Sequence, residues 1–303
     1  MPEPELLAAV ITVTYNSSAQ MLPWIEAIEA LSVRNRLEVC VVDSGSDLAE
    51  RRALRANVAP RVDHLLLEPN RGFGRSNNAG VAATTAPVLI FANPDTRLLT
   101  LPTGLSGDWQ EGDAVGAVNH SSEPPMPNAF LHVPTARWQA MDMILGRLSP
   151  PVYVRAAEGA AWLSGSALAI SRADFMRAGR FPEDVFLYFE DLDLCLAHRD
   201  RGGRIVVDAD WAVEHPGGAG TPEVGDSMDA VARLSGRRFV RHHQGPGRAA
   251  LLYFVLVAFY VPRRAAGILL RRARGGDASL SVARLALDLI RPARVMRRLG
   301  AAR

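Results

Sequence analysis

Apolar runs of strand length alternate with helical patterns through the first third of the chain, and this alternation limits the possible folds more than any other feature. The runs cover residues 6–13, 37–42, 62–67 and 88–92, and helical spacing of apolar residues fills the segments between them. Strands and helices that alternate without a break are typical of a parallel sheet with right-handed crossovers. We therefore predict an α/β fold with a mostly parallel central sheet.

Each of these predicted strands ends on a polar turn. The turns are Tyr15-Asn16, Asp43-Ser44, Asn70-Arg71-Gly72 and Asn93-Pro94-Asp95. Carboxyl ends of parallel strands share one edge of the sheet, and ligands bind beyond that edge, so the turns are expected to meet at a site. Asp43 could accept a hydrogen bond from a base or ribose, and Gly72 and Gly74 would let backbone amides approach a phosphate. Polar turns that bind nothing would give the same pattern.

The turn after residues 88–92 is the most informative of the four. The run is bounded by Pro87 and Pro94, as a short strand buried on both faces would be. An acidic turn at its carboxyl end, with Asp95 beside Asn93, can hold a divalent cation and, through it, a diphosphate. An Asx turn that only caps the strand is the alternative.

Two competing nucleotide-binding folds do not fit the sequence. A dinucleotide-binding dehydrogenase needs its glycine fingerprint after the first strand, where this chain has no glycine. A P-loop needs a lysine, and all 34 basic residues here are arginine. Cys40 and Cys195 are the only cysteines, which excludes a disulfide framework and suggests a reducing compartment.

Regular patterning stops between residues 119 and 157, a proline-rich segment with one helical stretch at 138–148. We predict a mobile insertion over the site, with simple disorder as the alternative. Residues 161–170 then have the pattern of a strand, with Ser164-Gly165-Ser166 at its centre, and Ser171 is expected to cap a helix that ends at Ala178. Trp162 is either a stacking surface for a sugar or base, or part of the core.

Three carboxylates stand at the start of a predicted helix over 190–196. Leu192, Cys195 and Leu196 form its buried stripe, and Glu190, Asp191 and Asp193 occupy its first turn. The helix macrodipole favours acidic residues there, yet three directly after an aromatic run exceed what capping needs. A carboxylate beside apolar aromatic rings can keep a raised pKa and act as a base on a sugar hydroxyl.

Two further strands are predicted at 204–207 and near residues 211–213, and the second ends on His215. Such a histidine is commonly an ordinary hydrogen-bonding group. Its position at a strand end before a glycine turn makes it a candidate metal ligand.

The end of the chain is strongly basic. Residues 233–303 contain 16 arginines and two acidic residues, and residues 249–261 are the most apolar stretch of the sequence. Thirteen helical residues span only about 20 Å, too short for a bilayer core of about 30 Å. We predict a catalytic domain over 1–235 and an amphipathic helical tail over 236–303 that lies on an anionic membrane, in preference to one that binds nucleic acid.

Six motifs in order resemble the inverting family 2 glycosyltransferases of the GT-A fold, and among them the bacterial rhamnosyltransferases of cell-wall linker and O-antigen synthesis. The motifs are Val13-Thr14-Tyr15-Asn16, Val41 to Ser46, Asn70-Arg71-Gly72-Phe73-Gly74 with Asn77 to Gly80, Asn93-Pro94-Asp95, Trp162 to Ser166 and Phe189 to Leu194. Any one of them is weak evidence. Their order over residues 6–220 is specific to the family.

The resemblance implies transfer of a sugar from a nucleotide diphosphate with inversion at the anomeric carbon. Asp191 would deprotonate the acceptor hydroxyl, supported by Glu190 or Asp193. Asp95, helped by His215, would bind Mg²⁺ or Mn²⁺ on the donor diphosphate. The expected donor site comprises Thr14, Tyr15, Asn16, Asp43, Ser44, Gly72, Gly74, Asn78, Asn93 and Trp162.

One residue departs from the general family motif, which has aspartate where this chain has Asn93. The metal would therefore gain one carboxylate from the motif, and binding without the donor is expected to be weak. The rhamnosyltransferase branch is similar to this chain in having asparagine there.

The resemblance and the tail together predict L-rhamnose from dTDP-rhamnose as the donated sugar and a polyprenyl-diphosphate-linked saccharide as the acceptor. The enzyme would work as a peripheral protein at the cytoplasmic face of the plasma membrane. Galactofuranose or another hexose is an alternative donor sugar, since specificity depends on details of the pocket. A non-catalytic, membrane-bound nucleotide-binding protein is an alternative of another class.

Overall fold

The computed structural model describes residues 5–107, 109–146, 154–216 and 222–273. Strands and helices alternate in its first part as predicted: β1 (Ala8–Thr14), α1 (Ser18–Glu29), β2 (Leu37–Ser44), α2 (Leu48–Asn57), β3 (His64–Glu68), α3 (Phe73–Ala83) and β4 (Val88–Ala92). These strands are parallel and lie side by side in the order β3-β2-β1-β4. The predicted α/β core is confirmed.

The sheet continues beyond β4 with mixed strand directions. The elements that follow are β5 (Arg97–Leu98), β6 (Asp113–Asn119), β7 (Met126–Pro127), β8 (Ala129–Phe130), α4 (Ala136–Leu145), β9 (Trp162–Leu163), β10 (Ala167–Ser171), α5 (Arg172–Ala178), α6 (Glu190–Arg199) and β11 (Arg204–Glu214). The spatial order from β4 is β10-β6-β11-β5, and β10 is antiparallel to both of its neighbours. β8 and β9 form a separate antiparallel ribbon.

Two predicted strand boundaries are wrong. The strand expected over 161–170 is divided into β9 and β10 by a turn at Ser164-Gly165-Ser166, in which Ser164 Oγ accepts from Ser166 N at 3.3 Å. Short hydroxyl side chains that bond to nearby backbone favour turns over strands. The two strands expected at 204–207 and 211–213 are one strand, β11, whose pairing with β6 is irregular between Val207 and Ala212.

Helices cover both faces of the sheet. α1 and α2 pack on one face through Trp24, Ile25, Ile28 and Leu54, while α3, α5 and α6 pack on the other. All five residues of β4 are buried, as expected of a strand with helices on both sides. The polar ends of β1, β2 and β4 are therefore the parts of these strands that can reach a ligand.

The C-terminal helices are built into the same core. They are α7 (Pro222–Gln244), α8 (Pro246–Val255), a π-helical turn (Leu256–Tyr260) and α9 (Val261–Ala273). Phe239, Val240, Leu252 and Tyr260 are buried and belong to the core cluster on the α3–α6 face of the sheet. The predicted boundary between residues 235 and 236 thus falls inside α7. The basic segment expected after residue 273 lies outside the described residues.

The described parts of the predicted insertion, residues 119–146 and 154–157, are folded against the rest of the chain. Its helix, α4, is held by α7: Asp142 forms an ion pair with Arg233 at 2.5 Å, and Ala136 N donates to Gln244 Oε1 at 3.0 Å. The helix begins two residues before the predicted position and ends at Leu145. That the insertion is mobile stays a prediction.

Candidate active site

Asp43, at the end of β2, is fully buried and paired with a cation. Its Oδ2 accepts from Arg51 Nε at 2.7 Å, and its Oδ1 accepts from Ser46 N at 3.3 Å. Arg51 also donates to the carbonyl of Glu68 at the end of β3. Asp43 therefore joins the ends of two strands, and both of its oxygens already have donors.

The turn after β1 lies against the turn after β2. Asn16 adopts a left-handed conformation, with φ of 48°, and its Oδ1 accepts from Asp47 N at 3.0 Å. Thr14 is buried, with its hydroxyl 2.8 Å from that of Ser17. Tyr15 is 40% exposed beside these anchored residues. Of the first strand's predicted site residues, Tyr15 has the ring that a bound base could contact.

The glycines predicted to approach a phosphate instead approach the protein's own backbone. A Cβ on Gly72, which has φ of 95°, would lie 2.2 Å from the carbonyl oxygen of Phe186, and one on Gly74 would lie 3.0 Å from that of Pro182. Phe73 N donates to the same Phe186 carbonyl at 2.8 Å. Glycine is thus required at both positions because the start of α3 packs closely against residues 181–186. A contact of this loop with a phosphate stays a prediction.

Two more residues expected at the donor site serve the packing of the fold. The Asn78 amide donates to the Phe181 carbonyl at 3.0 Å and accepts from Phe181 N at 3.2 Å. Trp162 is buried, stacks on Phe130 with ring centroids 4.2 Å apart, and donates from Nε1 to the His132 carbonyl. Their side chains hold the loop before α6 and the β8–β9 ribbon, so neither presents a binding surface.

Ser44 belongs to a buried polar cluster rather than to an open surface. Its hydroxyl donates to Asn70 Oδ1 at 3.2 Å and accepts from Ser76 Oγ at 3.0 Å, and Gly72 N donates to the same Asn70 oxygen. This cluster fixes the turn after β3 against β2. Ser44 thus stabilises the sheet edge through buried hydrogen bonds.

Asp95 and His215 are brought together although 120 positions separate them in the sequence. Their side chains lie 3.3 Å apart, from Oδ1 to Nε2. The backbone of His215 is fixed by Asn119 at the end of β6, whose amide accepts from His215 N at 3.0 Å and donates to His215 O at 2.8 Å. The turn after β4 and the end of β11 therefore share one position.

The Asp95–His215 pair fits the expected divalent cation in part. A carboxylate oxygen is a ligand that Mg²⁺ and Mn²⁺ prefer, and an imidazole adds a second donor. Among the described residues no group of three or more histidine, cysteine or acidic side chains is placed to hold a metal. Such a two-residue site suits an ion that is bound mainly through the phosphates of a substrate.

Asp191 is held by two backbone amides. Its Oδ2 accepts from Gly165 N at 3.0 Å, and its Oδ1 accepts from Leu192 N at 2.8 Å. Within the described part of the chain its carboxylate forms no ion pair with an arginine or histidine. Burial raises the pKa of Asp191 to about 6, against the opposing effect of the two amides. A carboxylate with this pKa is ionised at neutral pH and still basic enough to take a proton.

The residues around Asp191 are strained or unpaired. Tyr188 and Phe189, directly before α6, have φ of 69° and 74°, which is unfavourable for aromatic side chains. Glu190 is buried, and its Oε2 has no hydrogen-bond partner among the described residues. Burial, followed by the charge of Asp191, raises the pKa of Glu190 well above its usual value. Asp193 points away, toward α7, where it pairs with Arg238 and His243.

One turn connects Asp191 to the end of β4. Gly165 N donates to Asp191, and Ser166, the next residue, accepts from Asn93 N at 3.1 Å. β10 starts opposite the end of β4, where Ala167 pairs with Ala92. Asp95 and Asp191 therefore lie at the same edge of the sheet, and Asp43 lies two strands from β4, or about 10 Å away. The predicted convergence of three carboxylates on one edge agrees with this topology.

Several residues that complete the site were missed by the sequence patterns. Arg51 is placed by the first turns of α2, Asn119 by the end of β6, and Arg238 and His243 by α7. Each is an ordinary helix or strand-end residue in sequence. The sequence feature that includes Arg238 is the high number of arginines in the C-terminal part, which predicts membrane binding and not a contact with α6.

Comparison with known proteins gives the family. Residues 9–100, which contain β1 to β4, match the model described as glycosyl transferase family 2. The chain contains a family 2 glycosyltransferase domain. The matched segment includes Asp43 and Asp95, while Asp191 and His215 lie beyond it.

Relatives of this glycosyltransferase extend the match past the domain. N-acetylglucosaminyl-diphospho-decaprenol L-rhamnosyltransferases from two strains of Mycobacterium tuberculosis are 23% identical to it over 215 residues, which cover 61% of this chain and 68% of theirs. A mannosyltransferase from Pyrobaculum calidifontis, solved with GDP-Man and Mn²⁺, has 21% identity and a TM-score of 0.53 over 99% of this chain and 85% of its own. This structural likeness supports the predicted GT-A fold.

The described residues of the glycosyltransferase also include one helical segment, Pro246–Gly267, that by length and composition could cross a membrane. The segment is longer than the apolar stretch predicted from sequence, because α8, the π-helical turn and α9 continue one another. About a quarter of it, 28%, is buried against the rest of the protein.

Proposed function

We propose that this glycosyltransferase moves L-rhamnose from dTDP-rhamnose, with inversion, to a hydroxyl of a polyprenyl-diphosphate-linked saccharide. The observation that carries the proposal is Asp191, a partly exposed carboxylate at the binding edge that backbone amides hold and no described cation neutralises. The choice of sugar and acceptor is supported by the mycobacterial relatives, whose name specifies a rhamnosyl transfer to a decaprenol-linked N-acetylglucosamine.

In this mechanism Asp191 is the general base. It removes the proton of the acceptor hydroxyl as that oxygen bonds to the anomeric carbon from the face opposite the leaving group. The bond from the anomeric carbon to the diphosphate oxygen breaks, and its electrons leave with the nucleotide diphosphate. The fixed position of the carboxylate restricts the direction from which the hydroxyl can attack.

Asp95 and His215 would hold Mg²⁺ or Mn²⁺ at the donor diphosphate. When bound, the ion supplies charge neutralisation to the leaving group. The 3.3 Å contact between the two side chains supports the assignment, as does the Mn²⁺ found with the structurally similar mannosyltransferase. Tyr15, exposed at the end of β1, is the proposed contact for the base, and Asp43 with Arg51 fixes the turn next to it.

Donor identity can be tested by thermal unfolding of the full chain with a panel of nucleotide sugars, each with and without Mn²⁺. We expect dTDP-rhamnose with Mn²⁺ to give the largest rise in Tm, and Asp95→Asn to remove the effect of Mn²⁺. Asp210→Asn, an exposed residue of β11, is the control. A larger rise with a galactofuranosyl or another hexosyl donor would replace rhamnose. Stabilisation by no donor would contradict the function.

We also propose that α8 and the π-helical turn lie on an anionic membrane, at the cytoplasmic face where nucleotide sugars are made. Leu251, Phe254 and Phe259 are 62%, 61% and 46% exposed on this segment. Leu252 and Leu256 are buried in the core, so the segment cannot be surrounded by lipid on all sides. A helix with one apolar face free and arginines nearby suits the interfacial layer of a membrane.

Sedimentation with vesicles tests the membrane surface. Leu251→Ser combined with Phe254→Ser should reduce binding to phosphatidylglycerol vesicles at least about tenfold, because two apolar side chains no longer enter the interface. Met176→Ser, which changes an equally exposed apolar residue on α5, should bind as the unchanged protein does. Equal binding by the double variant would contradict this assignment.

A further inference from the structure

Asp193, in the first turn of α6, is neutralised from a different helix. Its Oδ2 forms an ion pair with Arg238, and its Oδ1 lies 2.6 Å from His243 Nε2. Both partners are on α7, and the Asp193 side chain is only 8% exposed. A buried carboxylate with two cationic or hydrogen-bonding partners is far more stable in its charged form than one without them.

Arg238 is itself held in place on the other side. Its Nε and Nη2 donate to the two oxygens of Asp184 at 2.9 and 2.5 Å. This pairing lowers the pKa of Asp184 below its usual value. The guanidinium therefore bridges an exposed carboxylate in the loop before α6 and a buried one within α6.

The same helix supports the strained segment before the proposed base. Ser235 Oγ donates to the carbonyl of Leu187 at 2.7 Å, and the ring of Phe239 lies 5.4 Å from that of Phe189. His243 packs against Phe239, with ring centroids 4.5 Å apart. Contacts spread over about two and a half turns of α7 thus converge on the start of α6, where Tyr188 and Phe189 have positive φ.

The charges near Asp191 explain why this arrangement matters. Glu190 and Asp193 stand beside it on α6, the loop before β10 contributes only the Gly165 amide, and α7 contributes Arg238 and His243. Asp184 faces Arg238 from the preceding loop. The negative charge of Asp193 favours the protonated form of Asp191. Without its partners on α7, the negative charge of Asp193 would raise the pKa of Asp191 further.

We propose that Arg238 and His243 are positioning residues for the transfer reaction: they keep Asp193 paired and fixed, so that Asp191 is the carboxylate of α6 that can act on the acceptor. This inference rests on the proposed role of Asp191 as the base. The inference gives α7 a role in catalysis. The same helix leads through Gly245 directly into the apolar segment that we assign to the membrane.

The pH dependence of kcat/KM distinguishes this role from a purely structural one. Arg238→Met should move the acidic limb of the profile to higher pH by about half to one unit, because an unpaired Asp193 charge disfavours ionised Asp191. Asp193→Asn combined with Arg238→Met should return the limb to its original position. Asp200→Asn, at the exposed end of α6, is the control and should leave the limb unchanged.

Two conservative variants decide the question if Arg238→Met does not fold. Arg238→Lys keeps the charge and should keep the limb, while His243→Gln removes the imidazole that contacts Asp193 and should shift the limb upward by a smaller amount. A uniform loss of kcat/KM with the limb unmoved in every folded variant would overturn the inference. So would a shift that persists in the double variant.

Failure of this inference can be told apart from failure of the proposed function. If Asp191→Asn retains turnover, Asp191 is not the base and the proposed mechanism falls. If Asp191→Asn is inactive and the limb does not respond to Arg238 or His243, the mechanism stands and only the role of α7 is rejected.

Discussion

Asp43 and Asp191 lie at the same edge of one sheet and are held in contrasting ways. Asp43 is fully buried and forms an ion pair with Arg51. Asp191 is partly exposed, is bound by two backbone amides, and has a pKa raised by burial. The comparison suggests a division of work in which paired carboxylates build the binding edge and the unpaired one reacts. Asp193, with Arg238 and His243, belongs to the first kind.

The residues directly before Asp191 have energetically unfavourable conformations or surroundings. Glu190 is buried, one of its oxygens has no hydrogen-bond partner in the described ranges, and two aromatic residues before α6 adopt left-handed backbone conformations. Strain and unsatisfied groups of this kind persist where surrounding contacts hold them, and they concentrate at functional sites. The contacts from α7 supply that support here.

The largest effect should come from removing the reactive carboxylate. We expect Asp191→Asn to lower kcat by about 10³-fold, because an amide cannot accept the acceptor proton. Donor affinity should be nearly unchanged, because the proposed donor contacts, Tyr15 and the Asp95–His215 pair, do not include Asp191. Steady-state kinetics with a binding measurement on the same preparation checks both, with Asp200→Asn at the exposed end of α6 as the control. Retained turnover would show that Asp191 is not the reacting carboxylate, and its proposed difference in role from Asp43 would be lost.

Removing the cation from the paired carboxylate should affect stability instead. Arg51→Met leaves the buried Asp43 carboxyl group without its ion-pair partner, which should lower the free energy of unfolding by about 3 kcal/mol. Urea unfolding measures this change, and Arg52→Met, which alters the exposed neighbour on α2, should change little. An effect no larger than that of the control would mean that the Arg51–Asp43 ion pair does not stabilise the fold as we infer.

The pH profile of the enzyme should report the raised pKa of Asp191. The base must be deprotonated to act, so kcat/KM should fall as pH decreases through about 6, and should approach a tenfold loss per pH unit below that value. An aspartate with an ordinary pKa would place the limb near 4. A profile that is flat between pH 5 and 7 would contradict the environment described for Asp191.

The smallest predicted effect is a gain in stability at Glu190. Its pKa is raised in the folded protein, so ionisation costs more in the folded than in the unfolded state. Stability is therefore fully present below the unfolded pKa of about 4.3 and declines as pH rises above it. Glu190→Gln cannot ionise and should be about 1 kcal/mol more stable at pH 7.5, with the difference vanishing at pH 4. Thermal unfolding at both pH values tests this, and a less stable variant would show that the charged form is needed.

The sequence predicted the part of the fold in which local pattern and tertiary environment agree. The strands and α-helices from β1 to β4 follow from apolar periodicity, because β1, β2 and β4 are buried on both faces and the helices between the strands on one. The start of α6 was recognised for the same reason. Prediction failed at Ser164-Gly165-Ser166, where hydroxyl side chains form a turn within an apolar run, and at α7, whose core contacts gave no signal distinct from its basic composition.

The chemistry of the site divides in the same way. Sequence alone determined which carboxylates stand at strand ends and at the start of a helix, since these positions depend on local order. Tertiary structure decided which side chains they contact, because Arg51, His215, Arg238 and His243 reach their partners through packing between elements that are distant in the chain. It also decided that Gly72, Asn78 and Trp162 serve the fold, since only the packed neighbours fill the space around them.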